Sequence, residues 1–412
     1  MKLLLPSIFI KVALVLIPLS ILKILSSKVS ASDFSNFFII YNISLYVYAL
    51  LFSLPAISLL RFYHHEPFKA LLDFGRSIYF QALLLFTVIF LLSFPLNINL
   101  LVLPILILSS GMGYFLFVSN IYRSNQYLIS LAIFHLVLLL LIISIFFILS
   151  TEVSISILIL LTGISYWLVG FVLRTIVAKK HSIRTIKLKS LINTNLLNNK
   201  YFKYAFPLAI VGLVNSLMAS SNQIILKFYV SDYELAGYIA NYVIAEKIFF
   251  ATQSLIVFIF LPIIYKRFNS LNQKAFIYIR NLSYVYFFIG ITLCLFTYFF
   301  GELISSLFSS DKYIDFAWII SISGIGLIFL GVASLIVEIY LVSKNSFIVM
   351  KIYVVGALSN ILINLSLIPI YGLNGAIIGT ILSYLIILFI AIYKLKDLKE
   401  VSLFNRGLDH KS

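Results

Sequence analysis

Glu246 and Lys247 stand side by side in a stretch, Leu235 to Ile263, that is otherwise almost wholly apolar. A charged group costs about 2.5–3.5 kcal/mol at the centre of a bilayer on insertion scales, so both residues must be paired or face water. Read as a helix, the stretch places them near its middle, too deep for either side chain to reach the surface easily. Successive residues point about 100° apart, so the two cannot both turn to lipid; Tyr242 and Gln253 fall near the Glu246 side. Two chemistries fit: the charges line a wet passage, or they tie a neighbouring helix by an ion pair.

Ser216, Ser220, Gln223 and Lys227 follow at i, i+4, i+7 and i+11, within about 60° of one another on a helix. Such a narrow polar stripe faces either a wet interior or another helix, and Lys227 is close enough to an end to reach the interface instead. In the first apolar run Lys23 is the better candidate for a lumen charge, because Lys11 can snorkel. Gly324, Gly331, Ser334 and Glu338 share a face whose small residues suit close helix packing. His135, two turns into an apolar run, reads as a hydrogen-bonded neutral imidazole. His64 and His65 beside Glu66 lack a third ligand for a metal. No glycine loop ending in Lys-Ser/Thr is present, so the chain does not hydrolyse nucleotide itself. No catalytic constellation emerges from these residues, so an enzyme is not expected.

These residues must be positioned by elements that live in lipid. The 412 residues are 62% hydrophobic and 11% charged, with a mean hydropathy of +1.11, far more apolar surface than a soluble fold buries. A cytosolic enzyme, a nucleic-acid-binding module and a secreted disulfide scaffold are excluded. Cys294 lies alone inside an apolar run as a small packing residue. Twelve runs reach the roughly 20 residues a spanning helix needs: 3–25, 34–60, 78–96, 98–118, 127–149, 153–173, 205–227, 235–263, 282–301, 314–342, 347–369 and 373–393. Within 78–118, Asn97, Asn99 and Pro104 leave a re-entrant pair open as the alternative.

The net charge of +16 is distributed by side. Only Lys28 and Lys312 fall in one set of loops, and Lys11, Lys23, Lys227 and Lys247 lie inside runs. Every other one of the 30 Lys and Arg falls in the opposite loops, which are therefore expected to be cytoplasmic, with both termini. The other face carries short loops with Asp33, Glu152, Asp232, Glu234, Glu302, Asp311 and Asp315. Val29-Ser30-Ala31 resembles a signal cleavage site, but the run before it is too long and carries internal lysines, so it reads as a spanning helix.

The hydrophilic stretch Arg174 to Lys203 splits the chain six plus six. The expected organisation is an N-terminal six-helix lobe (1–177), a basic linker (178–204), a C-terminal six-helix lobe (205–394) and a tail (395–412). Two echoes support duplication: VSASDFSNFFIIYN from Val29 beside VSDYELAGYIANY from Val230, and TGISYWL from Thr162 beside GTILSYLI from Gly379. Six is even, so the fold class expected is an all-α integral membrane protein of about twelve helices, in two parallel six-helix lobes around a central cavity.

VSDYELAGYIANYVIAEKI (Val230 to Ile248) resembles the junction of segments 7 and 8 in Wzx-type flippases, the polysaccharide branch of the multidrug/oligosaccharidyl-lipid/polysaccharide exporter superfamily. LIPIYGLNGAIIGTILSYLI (Leu367 to Ile386) is similar to that family's Ile-Pro-x-x-Gly turn between segments 11 and 12. Asp33 to Phe37 looks like a worn form of its acidic turn after segment 1. The resemblance implies a bacterial inner-membrane flippase moving an undecaprenyl-pyrophosphate-linked oligosaccharide, an O-antigen or capsule repeat unit of the lipopolysaccharide type, to the outer leaflet. Cavity cations would be Lys247, Lys227 and Lys23, with Glu246, Gln223, Ser220, Tyr242 and Gln253 as polar lining. No cofactor is implied; coupling to a proton or sodium gradient stays open, and a polysaccharide polymerase and chain-length regulator are the partners such a pathway offers. Where the family often carries an Asp-Arg-like pair this chain reads Asn222-Gln223, so Lys227 substitutes or ion coupling differs. A drug antiporter of the same superfamily, or a flippase for another polyprenyl-linked substrate, are the alternatives.

Overall fold

The computed structural model describes residues 4–63, 67–93, 99–125, 127–181, 199–267, 273–342 and 345–409; His64, His65, Glu66 and the Lys11 side chain lie outside what is described. Every regular element among these residues is helical. In chain order they are α1 (Leu4–Lys28), α2 (Ala31–Val47), a π turn (Tyr48–Phe52), α3 (Leu54–Phe62), α4 (Phe68–Ser93), α5 (Asn99–Ser124), α6 (Leu128–Leu149) and α7 (Ile155–His181). There follow α8 (Lys200–Leu226), α9 (Asp232–Arg267), α10 (Gln273–Phe308), a 3₁₀ turn (Asp311–Phe316), α11 (Trp318–Val342) and α12 (Ser346–Asp409). α12 is two arms, 346–371 and 373–409, so the described residues of each of the twelve expected runs fall mainly on helix, the run at 34–60 being shared by α2, the π turn and α3. Among the described residues nine helices are long and apolar enough to cross a membrane, the two arms of α12 counted as one.

The α4–α5 region is not a re-entrant pair. Each of the two helices has 26 residues, about 39 Å at 1.5 Å per residue, which exceeds the hydrocarbon thickness. Both also run past the apolar runs expected for them, because hydropathy marks where a helix crosses hydrocarbon and not where its backbone hydrogen bonding stops. α4 begins ten residues before the run at 78, as nearly three further turns carrying Asp73 and Arg76.

Local chemistry explains the breaks. Pro55 has no N–H to donate and its ring crowds the carbonyl of Leu51, so the backbone widens just before it; Ser53 N bonds Tyr48 O at 2.9 Å. Gly372, with φ 54° and ψ −126°, turns α12 between its arms in the conformation of the first central residue of a type II′ turn, which glycine adopts without a Cβ penalty. The apparent cleavage site at Val29–Ala31 is a helix cap: Ser30 Oγ accepts from Asp33 N at 3.1 Å and donates to Asp33 Oδ2 at 2.8 Å. Ser231 and Glu234 repeat the box at the start of α9, with Ser231 N and Oγ donating to Glu234 Oε2 at 3.0 and 2.7 Å. The first echo is thus a capping box used twice.

The chain forms two compact units, 1–217 and 218–412, dividing within α8. In the first, Tyr201, Ala205 and Ala209 of α8 pack with Leu54, Leu71, Phe74 and Ile78. In the second, Ile256, Ile279, Tyr286, Leu335 and Ile339 join α9, α10 and α11. The second echo also has a packing basis. Thr162 and Ser165 are buried in one unit, Thr380 and Ser383 in the other, and the tyrosine that follows each serine packs on a glycine of an earlier helix: Tyr166 on Gly111, Tyr384 on Gly326.

Candidate functional site

The second unit gathers most of the charged and amide groups expected to matter. α9 presents Tyr238, Tyr242 and Glu246 at i, i+4 and i+8 on one face, with Lys247 next to it. The Tyr238 and Tyr242 rings stack at 5.4 Å, 11° apart, and the Tyr242 hydroxyl lies 3.2 Å from that of Tyr384 on the second arm of α12. One turn further along α9 the charges begin. Lys247 Nζ donates to Glu246 Oε1 at 3.1 Å, and the two side chains keep 26% and 20% exposure. The pair closes on itself within α9. Partial exposure keeps the desolvation cost of each charge modest, and a carboxylate one residue away is a partner that the lysine can release.

Gln253, two turns beyond, donates from Nε2 to Ser334 Oγ at 2.8 Å, which ties α9 to α11. That contact absorbs the expected Gly324–Glu338 face into packing: Gly324 receives Phe249 and Cys294, and Gly331 receives Tyr286. Ser220 and Gln223 are both buried in α8. Lys227 sits at the end of α8 with Nζ 3.9 Å from Asp232 Oδ1, its side chain 33% exposed. Lys23 belongs to the first unit, half-buried on α1, where its carbonyl accepts from Ser26 Oγ. His135 is a packed imidazole, Nδ1 2.9 Å from Leu131 O with the ring edge-on to Phe115.

A larger feature is a buried amide and hydroxyl network joining α8, α9 and both arms of α12. Asn222, fully buried, donates to Tyr238 Oη and to Thr380 Oγ1 at 3.3 Å. Asn360 accepts from Ser221 Oγ at 3.0 Å and from Asn364 Nδ2 at 3.2 Å, and donates to Ser383 Oγ at 2.8 Å. Asn241 donates to Gly237 O and to Tyr313 O, both at 3.0 Å, which holds the 3₁₀ turn against α9. Interhelical hydrogen bonds in membranes average about 0.6 kcal/mol, so these sum to a few kcal/mol and make the unit stiff. Of the network, sequence reasoning singled out Asn222 and Tyr242 by residue, and touched Thr380, Ser383 and Tyr384 only as part of an internal echo. The signal was there in amides and hydroxyls spaced i, i+3 and i+4 within apolar runs: Asn360 with Asn364, Thr380 with Ser383 and Tyr384. Asn222 is a neutral centre of that network.

No protein-family model matches the sequence, and no curated protein does. Solved structures match in fold. The chain is similar to the structure of "Lipid II flippase MurJ, inward closed conformation", at a TM-score of 0.71 and 17% identity, over 96% of this chain and 87% of that one. It is similar to an inward-facing multidrug resistance MATE family transporter of the MOP superfamily, at 0.67 and 12%, over 94% and 96%. A third likeness, at 0.60 and 16% over 97% and 96%, is to a point mutant of the Vibrio cholerae MATE transporter VcmN. At these identities the likeness establishes the fold alone: an all-helical, multi-pass membrane fold shared with these structures.

Proposed function

We propose that this protein is a flippase that carries an undecaprenyl-pyrophosphate-linked oligosaccharide, an O-antigen or capsule repeat unit, from the inner to the outer leaflet of the cytoplasmic membrane by alternating access. The observation that carries the reading is the partly buried Glu246–Lys247 pair in the middle of α9, in a fold shared with a lipid II flippase. A pyrophosphate-sugar head cannot cross hydrocarbon unaided, and a cation held at that depth lowers its barrier. Between cargoes Lys247 is compensated by its own neighbour; when the pyrophosphate arrives it exchanges a carboxylate for the stronger anion. The same exchange frees Glu246 to take up a proton or a sodium ion, which supplies a route for gradient coupling. Lys227 and Lys23 are the further cations of this reading, and Ser220, Gln223, Tyr242 and Gln253 its polar lining. A polymerase and a chain-length regulator are the partners that would consume the product.

The likeness to drug transporters supports a second reading, an antiporter in which Glu246 holds a cationic drug. Mass spectrometry of the polyprenyl-linked glycan pool in cells lacking the protein, with leaflet accessibility scored, separates the two. The flippase reading expects a pyrophosphate-linked oligosaccharide to accumulate facing the cytoplasm. Normal arrival at the outer leaflet would rule it out and leave the antiporter.

A further inference from the structure

The first unit holds a second site that the sequence reading counted only as loop charge. A cavity of about 520 Å³ opens between the first half of α4, the last turns of α5 and the middle of α7, lined by Arg76, Tyr79, Tyr114, Trp167, Phe171 and Arg174 among others. Its aromatic wall is built rigidly: the Tyr114 and Trp167 rings stack at 4.5 Å and 21°, Trp167 Nε1 donates to Ser110 Oγ at 3.1 Å, and Tyr79 meets Tyr114 edge-on. Two guanidinium groups share the cavity. Arg76 Nη1 is 3.4 Å from Asp73 Oδ1, a long and partial neutralisation, and Arg174 lies within electrostatic reach of Arg76. The Tyr114 hydroxyl lies beside the Arg174 guanidinium without a well-aligned hydrogen bond, and the buried Tyr79 hydroxyl has no hydrogen-bond partner among the described residues.

Polar chemistry in this cavity is almost all donor. Arginine offers five N–H groups in a planar fork and accepts nothing, so a pair of them with a phenol beside them suits an anion rich in acceptor oxygens, and phosphate fits the fork two oxygens at a time. The open side is apolar: Leu83 and Phe171, 44% and 56% exposed, continue the cavity on to the outer surface of α4 and α7. A ligand with a phosphate at one end and hydrocarbon at the other satisfies both halves. We propose that this cavity binds the phosphate headgroup of a membrane lipid, held by Arg76 and Arg174 against the Tyr114–Trp167 wall. The proposal requires only the phosphate headgroup, which a resident anionic phospholipid and a polyprenyl pyrophosphate both present, so it stands whichever cargo the protein carries.

Trp167 is one of two tryptophans, so the W318F variant leaves a single fluorophore inside the cavity. In a phosphate-free maltoside detergent, titration with phosphatidylglycerol, farnesyl diphosphate and inorganic pyrophosphate is expected to change Trp167 emission saturably for one or both lipids, with pyrophosphate at least about tenfold weaker. Arg174 is exposed on its outer side, so R174Q keeps the packing and should weaken lipid binding about tenfold or more, the effect of losing a charged hydrogen bond. Tighter binding of phosphatidylglycerol marks a resident phospholipid, and tighter binding of farnesyl diphosphate a polyprenyl one. No saturable signal, equal affinity in R174Q and in R76K, or pyrophosphate binding as tightly as either lipid would each overturn the proposal.

Discussion

At residue scale the second unit separates two kinds of polar group. Asn222, Asn360, Thr380 and Ser383 are buried and hydrogen-bonded to one another or to neighbours, which makes them architecture. Glu246 and Lys247 keep a fifth to a quarter of their side-chain surface and touch each other, which leaves them available. Lys247→Ala is therefore expected to abolish lipid-linked glycan export at normal membrane abundance. The charge-swapped E246K/K247E chain tests the role further: it preserves the pair but moves the cation about 100° round the helix. Export should stay at least tenfold down in the swap, measured as outer-leaflet glycan; full recovery would make the pair structural. Lys227 is a weaker case on physical grounds, because an exposed pair at 3.9 Å is worth under about 1 kcal/mol.

Element boundaries are where backbone chemistry acts, and two predictions belong here. The hydrogen bonds from the Ser231 side chain and backbone hold the Glu234 carboxylate below its ordinary range. A depressed folded-state pKa means the stabilisation is present above the unfolded value, about 4.3, and is lost as pH falls through the folded one. Protection of the first turn of α9 against hydrogen exchange, relative to the intrinsic rate at each pH, should therefore fall below about pH 4. Ser231→Ala should lower that protection at neutral pH too, by the ~1 kcal/mol an N-cap contributes. Gly372 is the second case. Its positive φ is strained for any residue with a Cβ, while the space around it is open, Val230 Cγ1 being 3.6 Å from a built Cβ. Gly372→Ala should lower stability by about 1–3 kcal/mol, seen as a lower thermal midpoint in detergent, and the loss would come from backbone strain alone.

For the whole molecule, the loop charges make a topological prediction. In a Cys294→Ser background, Glu152→Cys, in the exposed turn between α6 and α7, should react with a membrane-impermeant maleimide from outside; Asn125→Cys, between α5 and α6, should react only after permeabilisation. The reverse labelling would invert the orientation. Much of the fold was legible before any coordinates. A hydrocarbon solvent forces every spanning backbone into a helix, so the apolar runs become helices wherever they are described, and a capping box or an Ile-Pro-x-x-Gly turn is set by residues three or four apart. What neighbours do was not legible. That Asn360 meets Ser383, that Gln253 meets Ser334, and that Glu246 closes on Lys247 depend on helix rotation and on side-chain packing. Arg76 and Arg174, almost a hundred positions apart and read as loop charges, share one cavity because α4 and α7 extend past their apolar runs. Hydropathy records the cost of each residue in lipid; only tertiary packing decides which polar group satisfies which.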